Sequence, residues 1–270
     1  MIIDVHTHLG SLPPHKENYK DNFLALLKEM NANRLNLAFV LPSLIHGVHA
    51  PSFEETVALT KGKKNIRLLW TARLDSFEEH DLRVPEDRIK EKQIIGIKVY
   101  PGYEHIYPSD ERCFPIYALC QRLGVPIMFH TGDTLTTEGD ARVKFAHPLH
   151  IDDVAVQFPT LNIIICHLGN PWTIDCAEVL YKNKNVYADI SGLIFGGSLQ
   201  SPYGLLVKKR VQELLIYSEA GAEKLLYGTD WPLASMKTYL TFVKGLGIGK
   251  KQMDRMMYKN AIELFQLSIQ

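Results

Sequence analysis

The sequence of 270 residues predicts a single-domain α/β protein, a (β/α)8 TIM barrel with an extra C-terminal helix. Eight short apolar runs alternate with amphipathic segments, and no low-complexity stretch or Ser/Gly/Pro-rich linker divides the chain. Eight alternations within about 250 residues match a closed parallel barrel, because an open doubly wound sheet usually has fewer strands. Open sheets also often carry a glycine-rich turn after the first strand, and no such turn follows the first run here. We therefore predict one barrel domain over residues 1–270.

Hydrophobic periodicity places the individual elements. The apolar runs predict strands at residues 2–5, 37–41, 66–71, 94–100, 125–129, 161–166, 186–190 and 225–227. Apolar residues at helical spacing predict helices around residues 23–30, 53–59, 116–123, 151–156, 174–181, 205–215 and 239–243. The third helix would fall within residues 75–92, where charge dominates, so a largely exposed loop is the alternative there. A last helix at residues 253–265 would cap the barrel.

Composition and charge exclude several classes of partner. With 30 basic and 30 acidic residues the chain has a formal net charge of 0, so no strong field attracts nucleic acid. No apolar run approaches the roughly 18 residues of a membrane span, and the N-terminus resembles a strand rather than a signal peptide. The four cysteines lack CxxC spacing and are expected to be reduced and buried. We expect a cytoplasmic protein that acts on a small molecule.

The N-terminal sequence DVHTH, residues 4–8, predicts two metal ligands. If residues 1–5 form a strand, His6 and His8 point to the same side, because strand side chains repeat every two residues. Two neutral imidazoles on one face are half of a zinc-type ligand set. The alternative is a pair of surface histidines near a frayed terminus, so the missing ligands must come from elsewhere.

Other predicted strands also end in polar side chains, and in a barrel of this class the active site lies at those ends. The first strand is followed by His6 and His8, the fifth by His130, the sixth by His167 and the eighth by Asp230. Four imidazoles and a carboxylate at one barrel mouth suit Zn²⁺, Mn²⁺ or Fe²⁺ better than Ca²⁺ or Mg²⁺. The sequence therefore predicts a transition-metal site at the mouth.

The fourth predicted strand directs a lysine toward the barrel axis. Alternation places Ile95, Ile97 and Val99 against the helices, which turns Lys98 and Tyr100 inward. An inward lysine needs an anionic partner, a ligand carboxylate or a chemical modification, because an unpaired buried ammonium is costly. The alternative is a solvated Lys98 on a face that alternation assigns wrongly.

Five motifs together resemble the amidohydrolase superfamily, and within it the single-domain amidohydrolase 2 group. That group includes aminocarboxymuconate-semialdehyde decarboxylase, gamma-resorcylate decarboxylase and the dicarboxylate lactonases. The motifs are DVHTH at 4–8, GIKVYP at 96–101, PIMFHTG at 126–132, HLG at 167–169 and YGTDWP at 227–232. The resemblance implies that His6, His8, His130 and Asp230 hold one divalent metal, most often zinc, with manganese as the other candidate. It implies that His167 acts as the acid/base or substrate-polarising residue.

The resemblance leaves the number of metals open. Superfamily members with two metals bridge them with a carboxylated lysine or a glutamate on the fourth strand, where Lys98 lies. Single-metal members also often carry an unmodified lysine there. We favour one metal, with a second metal bridged by carboxylated Lys98 as the alternative.

The predicted ligand set leads to a predicted reaction. Three imidazoles and a carboxylate leave one position open, where a metal lowers the pKa of a bound water to about 7. We expect a hydrolase that uses this activated water on a small, carboxylate-bearing ester, lactone or amide, with Asp230 passing the proton to the leaving group. Asp4 is expected to support the ligands or to pack near them. The alternatives are a metal-dependent non-oxidative decarboxylase of an unsaturated or aromatic acid, and a barrel that binds without turnover.

Residues for substrate binding are predicted from the strand ends and from the long segment 131–148, which carries Asp133, Glu138, Asp140, Arg142, Lys144 and His147. Arg73 could grip a carboxylate, and with Lys98 and Arg142 it suggests an anionic substrate. An ion pair of Arg73 with Asp75, and a solvated Arg142, are the alternatives. Tyr100 and Trp172 could line the pocket or plug its rim. Family members are often homodimers, although no segment shows a clear apolar interface stripe.

Overall fold

Short parallel strands alternate with helices in the computed structural model, which describes residues 1–11, 18–43, 45, 49–135, 139–194, 199–217 and 221–268. The strands are β1 (Ile3–Thr7), β2 (Leu37–Val40), β3 (Ile66–Leu68), β4 (Trp70–Thr71), β5 (Ile97–Val99), β6 (Ile127–Phe129), β7 (Ile163–Ile165), β8 (Val186–Asp189) and β9 (Leu225–Leu226). Their order is β1-β2-β3 in one sheet and β4 to β9 in sequence in the other. All pairs are parallel.

The two sheets form one barrel of eight strand positions. The third predicted strand is divided at Leu69, whose N–H donates to the Val40 carbonyl, whereas the Trp70 N–H donates to the Gly96 carbonyl. β3 and β4 are therefore two halves of one barrel strand. The first and last strands meet through the Val5 N–H, which donates to the Tyr227 carbonyl at 3.0 Å. The predicted (β/α)8 class is confirmed.

Helices follow the strands as a parallel barrel requires. They are α1 (Tyr19–Ala32), α2 (Phe53–Thr60), α3 (Arg83–Lys90), α4 (Phe114–Leu123), α5 (His150–Gln157), α6 (Thr173–Lys182), α7 (Pro202–Tyr217) and α8 (Met236–Lys244). The third helix forms as α3, and the alternative of a largely exposed loop at residues 75–92 does not hold for it. Pro85 and Ile89 of α3 are buried, and the charged residues around them face solvent and obscure the apolar stripe in the sequence.

A C-terminal helix closes one end of the barrel. It consists of α9 (Lys250–Asp254), a π-helical turn (Arg255–Lys259) and α10 (Asn260–Leu264). Leu264 and Phe265 join the cluster of side chains that fills the barrel interior, and the Phe265 ring lies 4.7 Å from the Phe39 ring, centroid to centroid. Phe265 also approaches Gly96, which precedes β5. The helix therefore seals the end where the strands begin and leaves the other end open.

Because the C-terminal helix is buried, shortening one of its apolar side chains should lower the free energy of unfolding substantially. Leu264 is 4% exposed, so Leu264→Ala should lower the free energy of unfolding by about 2–4 kcal/mol through lost contact and a residual cavity. Leu24 on α1 is 54% exposed, and Leu24→Ala should change it by less than about 0.5 kcal/mol. Urea denaturation of the two variants measures the difference. Equal losses would show that the helix does not seal the barrel.

Two further sequence predictions concern the state of the cysteines and the presence of membrane-spanning helices. All four cysteines are free and buried, as predicted: Cys113, Cys120, Cys166 and Cys176. Within the described ranges, no helix has the length and apolar character that a membrane crossing requires.

Candidate metal centre

The end of β1 brings two imidazoles into the open mouth. The register of β1 against β2 shifts between Asp4 and Thr7, an irregularity of the kind that re-aims side chains near active sites. Ile3 and Val5 face the barrel interior. His6, within the irregular stretch, and His8, just beyond it, line the mouth cavity, with ring centroids 5.1 Å apart.

Asp4 stabilises this irregular stretch of backbone. Within the described part of the chain, none of its hydrogen bonds reaches an imidazole ring. Its carboxylate accepts hydrogen bonds from the His6 N–H at 3.1 Å, the Thr229 N–H at 3.1 Å and the Thr229 hydroxyl at 2.7 Å. Asp4 thereby ties the end of β1 to the segment after β9. The predicted supporting role is thus exerted on the backbone.

Asp230 faces both imidazoles. Its Oδ1 lies 3.2 Å from the His8 Nε2 and 3.6 Å from the His6 Nε2. Asp230 has a left-handed backbone with φ of 63°, a conformation that aspartate tolerates better than most residues, and its N–H donates to the His6 carbonyl at 2.9 Å.

The partners of the two imidazoles fix where their protons lie. The His8 Nδ1 is 2.6 Å from the Leu41 carbonyl, and the His6 Nδ1 is 2.8 Å from Asp189 Oδ2. Both partners only accept, so each Nδ1 carries a proton and donates. Burial lowers the pKa of His6 to about 4, so at neutral pH its Nε2 presents a lone pair to the Asp230 carboxylate. Imidazole lone pairs and a carboxylate that face one another in this way can coordinate a cation.

His130 contributes another unsatisfied nitrogen. Its Nε2 is buried and has no hydrogen-bond partner within the described part of the chain. Burial, followed by the charges of His167 and Lys98, lowers the pKa of His130 well below its usual value. His130 lines the cavity. One ligand atom of each of His6, His8 and Asp230 lies within 4.8 Å of the others, and His130 does not belong to this group. The orphaned Nε2 fits the role of a third imidazole ligand.

His167 is held in an unusual turn beside these groups. His167, Leu168 and Gly169 have successive φ values of 59°, 50° and 60°, a run of left-handed backbone that is costly for residues other than glycine and is concentrated at functional sites. The His167 ring centroid lies 4.9 Å from that of His6 and 5.1 Å from that of His130. The turn therefore places His167 within the cluster of imidazoles.

Asp189 and Ser191, which follow the apolar run of β8, orient the imidazoles and were not identified from the sequence. Asp189 Oδ1 accepts hydrogen bonds from the His167 N–H and the Ser191 N–H at 3.0 Å each and from the Ser191 hydroxyl at 2.5 Å. The Ser191 Oγ then accepts from the His167 Nδ1 at 2.9 Å. His167 is thereby held with its Nδ1 protonated, which leaves its Nε2 free. The available signal was a carboxylate at the end of the seventh predicted strand.

The mouth cavity has a volume of about 110 Å³ and combines the imidazole cluster with a wall of aromatic and aliphatic side chains. The wall includes Tyr100, Tyr103, Leu135 and Leu233. No lysine or arginine belongs to the part of the lining that the described residues form: His6, His8, Gly10, Ser11, Ser43, Ile45, Tyr100, Tyr103, His130, Asp133, Thr134, Leu135, His167, Asn170, Gly192, Asp230, Pro232 and Leu233.

A profile of the family described as Amidohydrolase matches residues 3–267. The chain belongs to the amidohydrolase family. This confirms the superfamily membership that the motifs indicated. This chain is 23% identical to the gamma-resorcylate decarboxylase of Polaromonas sp. (strain JS666 / ATCC BAA-500) over 203 aligned positions. That match covers 60% of this chain and 57% of the curated relative, just over half of its length.

Two solved structures with bound metals resemble this chain over nearly its whole length. An amidohydrolase from Burkholderia multivorans with bound zinc has a TM-score of 0.72 at 15% identity and covers 99% of this chain and 100% of that one. A dihydroxybenzoic acid decarboxylase from Polaromonas sp. JS666, with manganese and 2-nitroresorcinol bound, has a TM-score of 0.69 at 15% identity, with coverage of 100% and 98%. At these identities the likeness establishes the shared fold.

Lys98 lies inside the barrel of this amidohydrolase, below the cavity. It is fully buried, and its Nζ lies 2.8 Å from the Cys166 Sγ and 5.1 Å from the centroid of the Tyr100 ring. Lys98 does not line the cavity, whereas Tyr100 does. The structure thus places Lys98 behind Tyr100, and its predicted role in substrate binding stays a prediction.

Three predicted substrate-binding residues lie away from the cavity lining. The Arg73 side chain is 51% exposed and pairs with Asp75 at 3.2 Å, the alternative that the sequence left open. Arg142 is exposed. Trp172 packs against His147, with ring centroids 4.6 Å apart. None of the three belongs to the cavity lining that the described residues form, so substrate binding by them stays a prediction. Glu138 lies outside the described residues.

Glu104, next to Arg73, predicts a pH dependence of stability. Burial, followed by repulsion from Asp75, raises the pKa of Glu104 from 4.5 to about 7, and its Oε2 has no hydrogen-bond partner among the described residues. The folded protein keeps this proton between those two pH values and the unfolded chain releases it, so this contribution to stability falls as pH rises through the window.

We expect Glu104→Gln to gain on the order of 2 kcal/mol relative to wild type between pH 5 and pH 8, because glutamine does not ionise. Urea unfolding at both pH values measures this gain. Glu213→Gln, at an exposed position, serves as the control and should show no such gain. Parallel pH profiles of Glu104→Gln and wild type would contradict the prediction.

Proposed function

We propose that this amidohydrolase is a metal-dependent hydrolase of a small ester, lactone or amide and holds one divalent cation with His6, His8, His130 and Asp230. The observation that carries the proposal is the convergence of lone pairs. The His6 and His8 Nε2 atoms lie 3.6 Å and 3.2 Å from Asp230 Oδ1 while both Nδ1 atoms are committed as donors. Zinc is the favoured ion and manganese the next, which agrees with the two metal-containing relatives in fold.

The roles of the protein groups follow from their contacts. A cation bound there would act as a Lewis acid and would lower the pKa of a water molecule to about 7. Asp230 has a second oxygen, Oδ2, beyond the one that faces His6 and His8, and this oxygen can accept the proton of the attacking water and pass it on. His167, with its Nδ1 proton directed to Ser191, presents the lone pair of its Nε2, which can accept a proton during the reaction.

Non-oxidative decarboxylation is the second candidate, because the curated relative is named as a gamma-resorcylate decarboxylase. Hydrolysis is favoured because the described cavity lining has no lysine or arginine to hold an acidic substrate. The same absence removes the support that Arg73 and Arg142 gave to a carboxylate-bearing substrate. A barrel that binds without turnover is disfavoured by the retained Asp230 and His167, which such a protein would not need.

Elemental analysis after loading with zinc or manganese, followed by a substrate screen, tests the proposal. We expect about one metal per chain and hydrolysis of at least one lactone, ester or amide, with loss of activity in His167→Asn. Two metals per chain would instead indicate a bridge by carboxylated Lys98. Release of carbon dioxide from a carboxylated aromatic would favour the decarboxylase. Protein that takes up no metal, or activity that survives both His167→Asn and Asp230→Asn, would overturn the mechanism.

A further inference from the structure

The cavity holds a carboxylate that the proposed chemistry does not use. Asp133 follows β6 by four residues and is exposed as a whole residue, and it lines the cavity together with Asn170. Its N–H donates to the Asn170 carbonyl at 2.8 Å, and its Oδ2 accepts from the Asn170 Nδ2 at 2.6 Å. Two hydrogen bonds to one residue fix both the backbone and the carboxylate of Asp133.

The backbone on either side of this pair is built for close approach. Gly132 has φ of 85°, and a Cβ added to it would overlap the Asn170 carbonyl oxygen. The Gly132 N–H donates to the Ala146 carbonyl at 2.8 Å. Only glycine permits the segments after β6 and β7 to come this close, so the position of Asp133 is set before any ligand arrives.

A neighbouring cation, Arg210, donates to the side-chain amide of Asn170 rather than to the carboxylate of Asp133. Arg210 on α7 donates from its Nη1 to the Asn170 Oδ1 at 3.2 Å, which orients the Asn170 amide so that its N–H₂ faces Asp133. Asp133 Oδ1 has no hydrogen-bond partner among the described residues. Burial raises the pKa of Asp133, although the Asn170 hydrogen bond and the charges of His167 and Arg210 oppose this. The carboxylate therefore keeps one oxygen free inside the cavity.

We infer that Asp133 is the specificity-determining residue of this site and that it accepts a hydrogen bond from a donor on the substrate, best a protonated amine. A carboxylate that is fixed in place, has a free oxygen and has no lysine or arginine beside it in the described lining attracts a donor and repels an acid. The inference rests on the proposed function, because it names the substrate class for that same site. It replaces the anionic substrate that Arg73, Arg142 and Lys98 suggested.

A matched series of metal-binding inhibitors tests the inference. β-Alanine hydroxamate, butyrohydroxamate and succinic monohydroxamate share a hydroxamate and a two-carbon spacer, and end in ammonium, methyl and carboxylate. Calorimetric titration of the zinc-loaded protein should show the ammonium compound binding about tenfold or more tightly than the carboxylate compound. Asp133→Asn should reduce this ratio to about one, whereas Asp153→Asn, at an exposed position on α5, should leave it unchanged.

A second titration does not depend on the metal. In metal-free protein, NMR titration with butylammonium, butanol and butyrate should show preferential binding of butylammonium, and Asp133→Asn should abolish the preference. Equal binding of the three, tighter binding of the carboxylate in either titration, or a preference that survives Asp133→Asn would overturn the inference. If no hydroxamate binds the zinc-treated protein while butylammonium still binds in preference, the proposed function fails and the role of Asp133 stands.

Discussion

Asp230→Asn should abolish stable metal binding and lower kcat/KM by a factor of about 10²–10⁴. The variant keeps the shape of the side chain but removes the negative charge that faces His6 and His8 at 3.6 Å and 3.2 Å. It also removes the oxygen that accepts the proton in the proposed reaction. The effect should be large because one residue serves as ligand and as base.

Metal-dependent stabilisation gives a readout of Asp230 that does not require a substrate. For wild type, zinc at 100 times its dissociation constant should raise the free energy of unfolding by about 2.7 kcal/mol. Asp230→Asn should lose most of this increment, while Asp153→Asn, an exposed change of the same chemistry, should retain it. Full zinc stabilisation of Asp230→Asn would remove Asp230 from the ligand set.

Asp189→Asn should weaken metal binding by about 10–100-fold although Asp189 is not in the proposed ligand set. The Asp189 carboxylate accepts from the His6 Nδ1, two backbone N–H groups and the Ser191 hydroxyl. An amide has only one accepting oxygen, so its N–H₂ must face a donor that is already present. His6 then loses the contact that keeps its Nε2 free.

The same substitution should cost stability. Burial alone raises the pKa of Asp189, but His6, His167 and Lys98 lower it overall, so the carboxylate is charged in the folded protein. We expect Asp189→Asn to lower the free energy of unfolding of the metal-free protein by about 1–3 kcal/mol, because buried donors lose their acceptor. Chelator competition for zinc and urea unfolding measure the two effects. Lower stability with unchanged zinc affinity would make Asp189 a purely structural residue.

The sequence predicts the fold and most of the site because the same periodicity determines both. Parallel strands buried on both faces are continuous apolar runs, so their ends are visible as the first polar residue, as at His130 and Asp230. Asp189 also ends such a run, yet nothing in the run indicates that its carboxylate would turn to His6. That contact joins residues 183 positions apart and depends on barrel closure.

The predicted substrate-binding residues that lie outside the described cavity lining are side chains whose direction is set by turns. Arg73 lies two residues beyond β4, where the chain turns so that its guanidinium meets Asp75. Arg142 lies in a segment whose path depends on Gly102, whose carbonyl accepts from the Arg142 N–H at 2.7 Å. Strand periodicity carries no information about either turn. Asp133 was visible in the same segment, but only its contact with Asn170 shows that it faces the cavity.

The seam between the first and last strands has a consequence for how the molecule matures. The His6 carbonyl accepts from the Asp230 N–H, and the His8 N–H donates to the Trp231 carbonyl at 2.7 Å. The three proposed ligands on these segments therefore come together only when the barrel closes. Segments more than 220 positions apart must therefore find one another before a cation can be captured. Metal uptake during refolding would report completion of the whole topology, and a chain arrested with an unjoined edge would have no means of acquiring activity.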